Sequence, residues 1–326
     1  MLNKYLASTF VLIAALFCTP VHASCGTTTC SINTNWDEHG RSQPGWSADL
    51  RYSYSRADTL RSGSKKITAD TNADEVENLR TINKLVALGL DYTYDENWGV
   101  MLHVPYVMRD HSHNLGPYTG TTPAGYENFN ASALGDIKVV GRYRWSQDTS
   151  NHSEMGVKLG LKLNTGKKDF EWTTGGIPGE ASLQPGNGST DLITGVFWHQ
   201  AQHDSDWSWF AQGILQNPIK SSATFRPGKE INLDGGTRYA LSSKLSGLLQ
   251  LNVQWNSTDS GTSAALTEAG ESSSGGRSLS LSPGLSHTIA PDMQLYGLIQ
   301  LPLYQYVNGE QLTANSSVAI GVGYRF

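Results

Sequence analysis

Residues 316–326 read Ser-Ser-Val-Ala-Ile-Gly-Val-Gly-Tyr-Arg-Phe. Val318, Ile320, Val322, Tyr324 and Phe326 share one parity, and Ala319, Gly321, Gly323 and Arg325 share the other. Successive side chains of a strand point to opposite faces, so this segment is a strand with one greasy face and one small or polar face. It finishes on an aromatic of the greasy face. A soluble sheet must cover such a face with a second apolar layer. A closed sheet in lipid needs no such layer, because the lipid covers it.

The other end of the chain reads as an export signal. Lys4 gives a positive start, 6–18 is almost wholly apolar, and Val21-His22-Ala23 offers small residues for cleavage. That run is shorter than the ~20 residues a spanning helix needs. The expected division is a signal peptide over 1–23, a periplasmic segment over 24–44 and a membrane barrel over 45–326. Cleavage would leave Cys25 and Cys30 as the remaining cysteines. In an oxidising periplasm the pair reads as a small-loop disulfide. A redox or metal-binding pair, or lipidation of Cys25, are the other readings.

Hydrophobic residues make up 38% of the chain and charged residues 16%, with 34 glycines and 9 tryptophans. A barrel explains this mixture: apolar residues take alternate positions only, and small polar residues fill the rest. The net charge of −5 carries no nucleic-acid footprint.

Alternating segments recur twelve times, near 46–55, 85–94, 98–109, 136–145, 155–164, 192–198, 207–216, 231–239, 245–255, 278–286, 295–304 and 318–326. In the fifth, Met155, Val157, Leu159, Leu161 and Leu163 oppose Glu154, Gly156, Lys158, Gly160 and Lys162. Phase is ambiguous in the sixth and eleventh. Long polar loops follow odd-numbered segments (56–84, 110–135, 165–191, 217–230, 256–277 and 305–317), and short turns follow even-numbered ones. Long loops on one side and short turns on the other are the pattern of an outer-membrane barrel. Aromatics such as Trp46, Trp98, Tyr143 and Trp207 fall where rim belts belong. The fold expected is therefore all-β: a twelve-stranded, antiparallel, up-and-down transmembrane β-barrel in the outer membrane of a Gram-negative bacterium.

Three pieces carry a resemblance: Gly160-Leu161-Lys162-Leu163-Asn164-Thr165-Gly166, Leu183 to Asp191, and Leu301 to Gly309. From about residue 133 onward the chain resembles a family of outer-membrane transporters named for the MetA pathway of phenol degradation and likened to FadL. The family usually has Pro where this chain has Asn164. The resemblance implies transport of small molecules, with hydrophobic or aromatic compounds as cargo.

Inward charges bear most on a pore. Lys138, Arg142 and Arg144 share a face of the fourth segment, and Lys158 and Lys162 the same face of the fifth. If open to water, this wall favours anions. The alternative is a paired ladder, with Asp49, Asp91, Asp191 and Asp234 as partners; Asp136 and Glu154 are the acids on the wall itself. Gly89, Gly99, Gly156, Gly160, Gly236, Gly284, Gly321 and Gly323 face inward and would make room, or else serve curvature and close packing. His111 and His113, beside Asp110 in a long loop, form a weak metal candidate. His103 and, if its phase holds, His199 face inward, without a matched Ser-His-acid spacing. No cofactor is expected. The partners expected are membrane lipid and lipopolysaccharide, the barrel-assembly machinery through Tyr324 and Phe326, and a small solute, with no nucleic acid. The function expected is a passive channel or transporter. A barrel enzyme and a structural or assembly barrel are the alternatives.

Overall fold

The computed structural model describes residues 44–68, 77–114, 126–148, 153–173, 176, 178–201, 205–261 and 274–326. The expected signal peptide, Cys25, Cys30 and nearly all of the 24–44 segment lie outside the described residues.

Among the described residues thirteen strand elements form one sheet: β1 (Gly45–Gly63), β2 (Lys65–Lys66), β3 (Glu77–Thr93), β4 (Trp98–Asn114), β5 (Tyr126–Leu134), β6 (Lys138–Asp148), β7 (Ser153–Lys162), β8 (Thr190–Ala201), β9 (Trp207–Lys220), β10 (Glu230–Ala240), β11 (Leu245–Asn256), β12 (Gly276–Ala290) and β13 (Met293–Arg325). Neighbours pair antiparallel in chain order, and β13 pairs with β1 to close the barrel. Two elements need reinterpretation. β5 and β6 lie end to end along β4, which pairs with β5 through 106–114 and with β6 through 98–103, so together they make one crossing. β13 is antiparallel to β12 through 293–307 and antiparallel to β1 through 307–325, so the chain reverses between them. Gly309, at φ 59°, sits at that reversal, where a left-handed backbone suits glycine. With the two-residue β2 set aside as a rim extension of β1, twelve crossings result.

The two faces differ as lipid and lumen require. Leu159 is 62% exposed, while its neighbour Lys158 on the other face is 8% exposed. The exposed Leu50, Leu88, Val196, Leu233, Leu251 and Ile320 all take the outward parity. Such a belt around the whole molecule suits hydrocarbon and would be untenable in water. At the rim carrying both described chain ends, aromatics from adjacent strands pair up. Trp46–Tyr92, Trp98–Tyr143 and Trp207–Tyr239 have ring centroids 4.6–4.7 Å apart. We call this the terminal rim and the other the loop rim.

Several expected loops are strand. β1 runs on to Gly63, β4 to Asn114, β5 occupies much of 110–135, and no long loop separates the halves of β13. The physical reason is common to all. Beyond the apolar belt the outer face meets water instead of lipid and no longer needs apolar residues, so segments such as Asp110-His111-Ser112-His113 lose their alternation while the backbone ladder continues. The two ambiguous segments also resolve. Ile193, Phe197 and His199 point inward in β8, and Tyr296, Leu298 and Gln300 do so in β13. Both parities are apolar there because the lumen itself holds apolar residues.

Phe326 closes the ring: its N–H donates to the Trp46 carbonyl at 2.9 Å, and its ring meets Tyr324 edge-on at 4.9 Å. Deleting Phe326 is expected to lower the amount of folded barrel in outer membranes several-fold, read as loss of the heat-modifiable gel band. Unchanged levels would show that the terminal aromatic is not needed for insertion.

Candidate functional site in the barrel lumen

Strand register sets the first feature. Lys138 stands directly across from Lys162, and Arg142 across from Lys158. Like charges so placed repel, and each side chain turns to a different partner. Arg142 forks onto Asp91 of β3 and also donates to Thr93. Arg144, fully buried, lies 3.2 Å from Glu154 and donates to the Glu96 carbonyl. Lys162 sits between Asp136 at 3.3 Å and Asp191 at 3.1 Å, and donates to Ser189 and Asn187. Lys158 donates to Gln212 and lies 5.6 Å from the Phe197 ring. Lys138 donates to Gln216. The five cations thus face inward, as their parity requires; Arg142, Arg144 and Lys162 pair with carboxylates, whereas Lys138 and Lys158 hydrogen-bond to glutamines. Asp91, Asp136, Asp191 and Glu154 are the carboxylate partners. Asp49 accepts from the Tyr296 hydroxyl at 2.9 Å, and Asp234 accepts from Gln212 and Asn252.

Several of the inward glycines mark close packing. A Cβ on Gly99 would stand 2.6 Å from Arg142 Cζ. One on Gly156 would stand 2.6 Å from the Phe197 ring, and one on Gly236 2.7 Å from that of Phe210. Leu298 covers Gly284 and Tyr296 covers Gly321 in the same way. In the first four cases the glycine and the large residue are direct cross-strand partners. These glycines therefore do not widen a pore; each is roofed by a neighbour's side chain. Phe210, Leu248, Tyr296, Leu298 and Ala319 gather into an apolar cluster inside the barrel, toward the terminal rim. Above it, Gln250, Asn252 and Ser282 are each at most 2% exposed. Three such polar side chains on adjacent strands do not border a wide water column. Sequence reading missed this filling. The available signal was a large inward residue directly opposite a glycine on the next strand.

The loop between β7 and β8 folds inward at the other end. Asp136 draws its two ends together by accepting from the Thr165, Gly166 and Asn187 backbone N–H groups at 2.9–3.2 Å. The segments around 160–166 and 183–191 are thus the two roots of one inward-folded loop. Farther along, Trp172 and Leu183 pack on Phe129, Ala57, Leu60 and Leu312. Arg109 ties the Ser182 carbonyl at 2.6 Å. His111 is fully buried here, bonded to the Thr81 hydroxyl at 2.8 Å and edge-on to Trp172. It is a packing residue, not the solvent-facing ligand expected of a long loop; the His113 side chain lies outside the described residues.

Beside this loop, within the mouth at the loop rim, lies a cavity of about 150 Å³. Gln216, Gln254, Asn256, Ser278, Gln305 and Gln311 line it, with Asp191, Glu230 and Asp259 also at its border. Burial pushes the Asp259 carboxyl above its ordinary range, while the Gly228 N–H and Ser274 pull it back. Asp49, Arg51, His103 and Lys138, inward residues of β1, β4 and β6, are half-buried on the opposite wall.

A family model described as MetA-pathway of phenol degradation matches residues 93–320. No curated protein matches the chain by sequence. Among solved structures, the COG4313 outer membrane channel from Pseudomonas putida F1 superposes with a TM-score of 0.61 at 12% identity, over 87% of this chain and 96% of that one. A FadL homologue from Pseudomonas aeruginosa gives a TM-score of 0.45 at 11% identity, over 86% of this chain and 90% of that one. The first of these likenesses establishes an outer-membrane barrel fold.

Proposed function

We propose that this chain, which belongs to the MetA-pathway of phenol degradation family, is an outer-membrane channel for small polar solutes, closed in the conformation described. The observation that carries the reading is the interior. A lipid-facing barrel encloses a hydrogen-bonding lumen, open to a cavity at one mouth and filled by side chains below it. A barrel of this strand number falls between side-chain-filled and water-filled classes, so modest displacement of lumen residues decides whether it conducts. The loop rim faces the outside of the cell in this reading, and the carboxylates beside Arg142, Arg144 and Lys162 offset much of the anion preference of that wall.

Planar-bilayer recording tests it. Folded, heat-modifiable protein should give small and infrequent conductance steps. Preparations that insert and stay silent, and that pass no solute in liposome-swelling assays, would overturn the channel reading.

A further inference from the structure

The mouth cavity has a chemical bias of its own. One inward rung runs Asn232, Gln254, Ser278 and Gln305 across four adjacent strands. Gln254 makes no side-chain hydrogen bond among the described residues, so both ends of its amide remain available. The Asn256 Oδ1 is buried with no partner among the described residues. Gln305 and Gln311 spend their amide N–H groups on the Ala314, Gly275 and Asn308 carbonyls, which leaves their oxygens as acceptors. Three carboxylates border the space, and among the described residues only Asp191 has a cation beside it, Lys162. Among the lining residues the one arginine, Arg277, is exposed, stacks on Tyr306 and takes the outward parity. A hydroxyl both donates and accepts, and an acceptor-rich wall with one spare amide suits several hydroxyls at once. Carboxylates at the border repel anions. A cavity of about 150 Å³ is the size that holds one six-membered ring, as an apolar cavity of that volume holds benzene.

We propose that this cavity is a binding site for an uncharged, polyhydroxylated single-ring solute, recognised through Gln254, Asn256, Ser278, Gln305 and Gln311. The proposal deepens the channel reading and rests on it only for the idea that the bound solute is cargo.

The test is equilibrium dialysis of the folded barrel in detergent, with labelled D-glucose as the neutral probe and gluconate as the anionic one. Saturable glucose binding is expected, with gluconate weaker by several-fold. Gln254→Leu should weaken glucose binding several-fold while keeping heat-modifiable mobility. Ser278→Ala, which removes only one hydroxyl, should weaken it less and guards against a folding defect in the first variant. Non-saturable glucose uptake, preference for gluconate, or unchanged binding in both variants would overturn the site. Liposome swelling separates the two readings. Glucose binding without swelling leaves the site standing and removes the channel; swelling without binding does the reverse.

Discussion

Lys162→Met is expected to be the most damaging single change in the lumen, costing about 3–5 kcal/mol of barrel stability, the usual penalty for breaking one side of a buried ion pair. Lys162 is 4% exposed and serves two carboxylates, each within 3.3 Å. Without it, Asp136 and Asp191 keep hydrogen bonds from backbone N–H groups, Ser189 and Gln216, and their charges then face one another with no cation between them. The loss has a second consequence. Asp136 holds both roots of the inward loop, so repulsion there loosens the cover of the mouth as well as the wall. A contrast sits on the same barrel: Arg80 and Asp110 are bonded at 2.9 Å but are 38% and 44% exposed. Breaking that pair should cost about 0.2–1 kcal/mol, as solvent screens it. Urea unfolding of the refolded barrel in detergent, followed by gel mobility, measures both. Equal midpoint shifts for the two variants would show that Lys162 is solvated and that the ladder is not a structural element.

The same residue shows what the sequence makes legible. Lipid forces every second residue of each crossing to be apolar, so strand number, parity and the inward facing of Lys138, Arg142, Arg144, Lys158 and Lys162 follow from the alternation alone. Their partners do not. Parity makes Asp91 and Asp191 candidates, but register and rotamer decide that Arg142 reaches back to β3 while Lys162 reaches forward to β8. The strand ends are illegible for a different reason: past the belt, alternation carries no signal, although hydrogen bonding continues in β4 and β5. Phe197 and Phe210 are hidden too, because an apolar residue on the lumen parity looks like a break in phase. A selectivity experiment that neutralises Arg142, Lys158 and Lys162 together would therefore report folding before it reported charge.

The second large effect concerns what blocks the lumen. Phe210→Ala combined with Leu298→Ala is expected to raise single-channel conductance several-fold. Both residues belong to the apolar cluster near the terminal rim, and both lie over glycines, Gly236 and Gly284, so truncation exposes no Cβ beneath to refill the space. A dry, apolar constriction excludes ions by dewetting, and widening it lets water and ions through. In a soluble core, truncating a phenylalanine costs about 3–5 kcal/mol through lost burial and the cavity left behind. Here part of that cost is recovered when water from the lumen enters the space, and the closed backbone ladder keeps the barrel intact. The variant should therefore keep heat-modifiable mobility while its conductance rises. Gly236→Leu should act in the opposite sense, since the added side chain meets the Phe210 ring and the Leu249 carbonyl within 2.7 Å. It should lower the yield of folded barrel without opening it. A double alanine variant that folds and conducts as the wild type does would mean that the cluster is not the barrier. The closed-channel reading would then lose its structural basis.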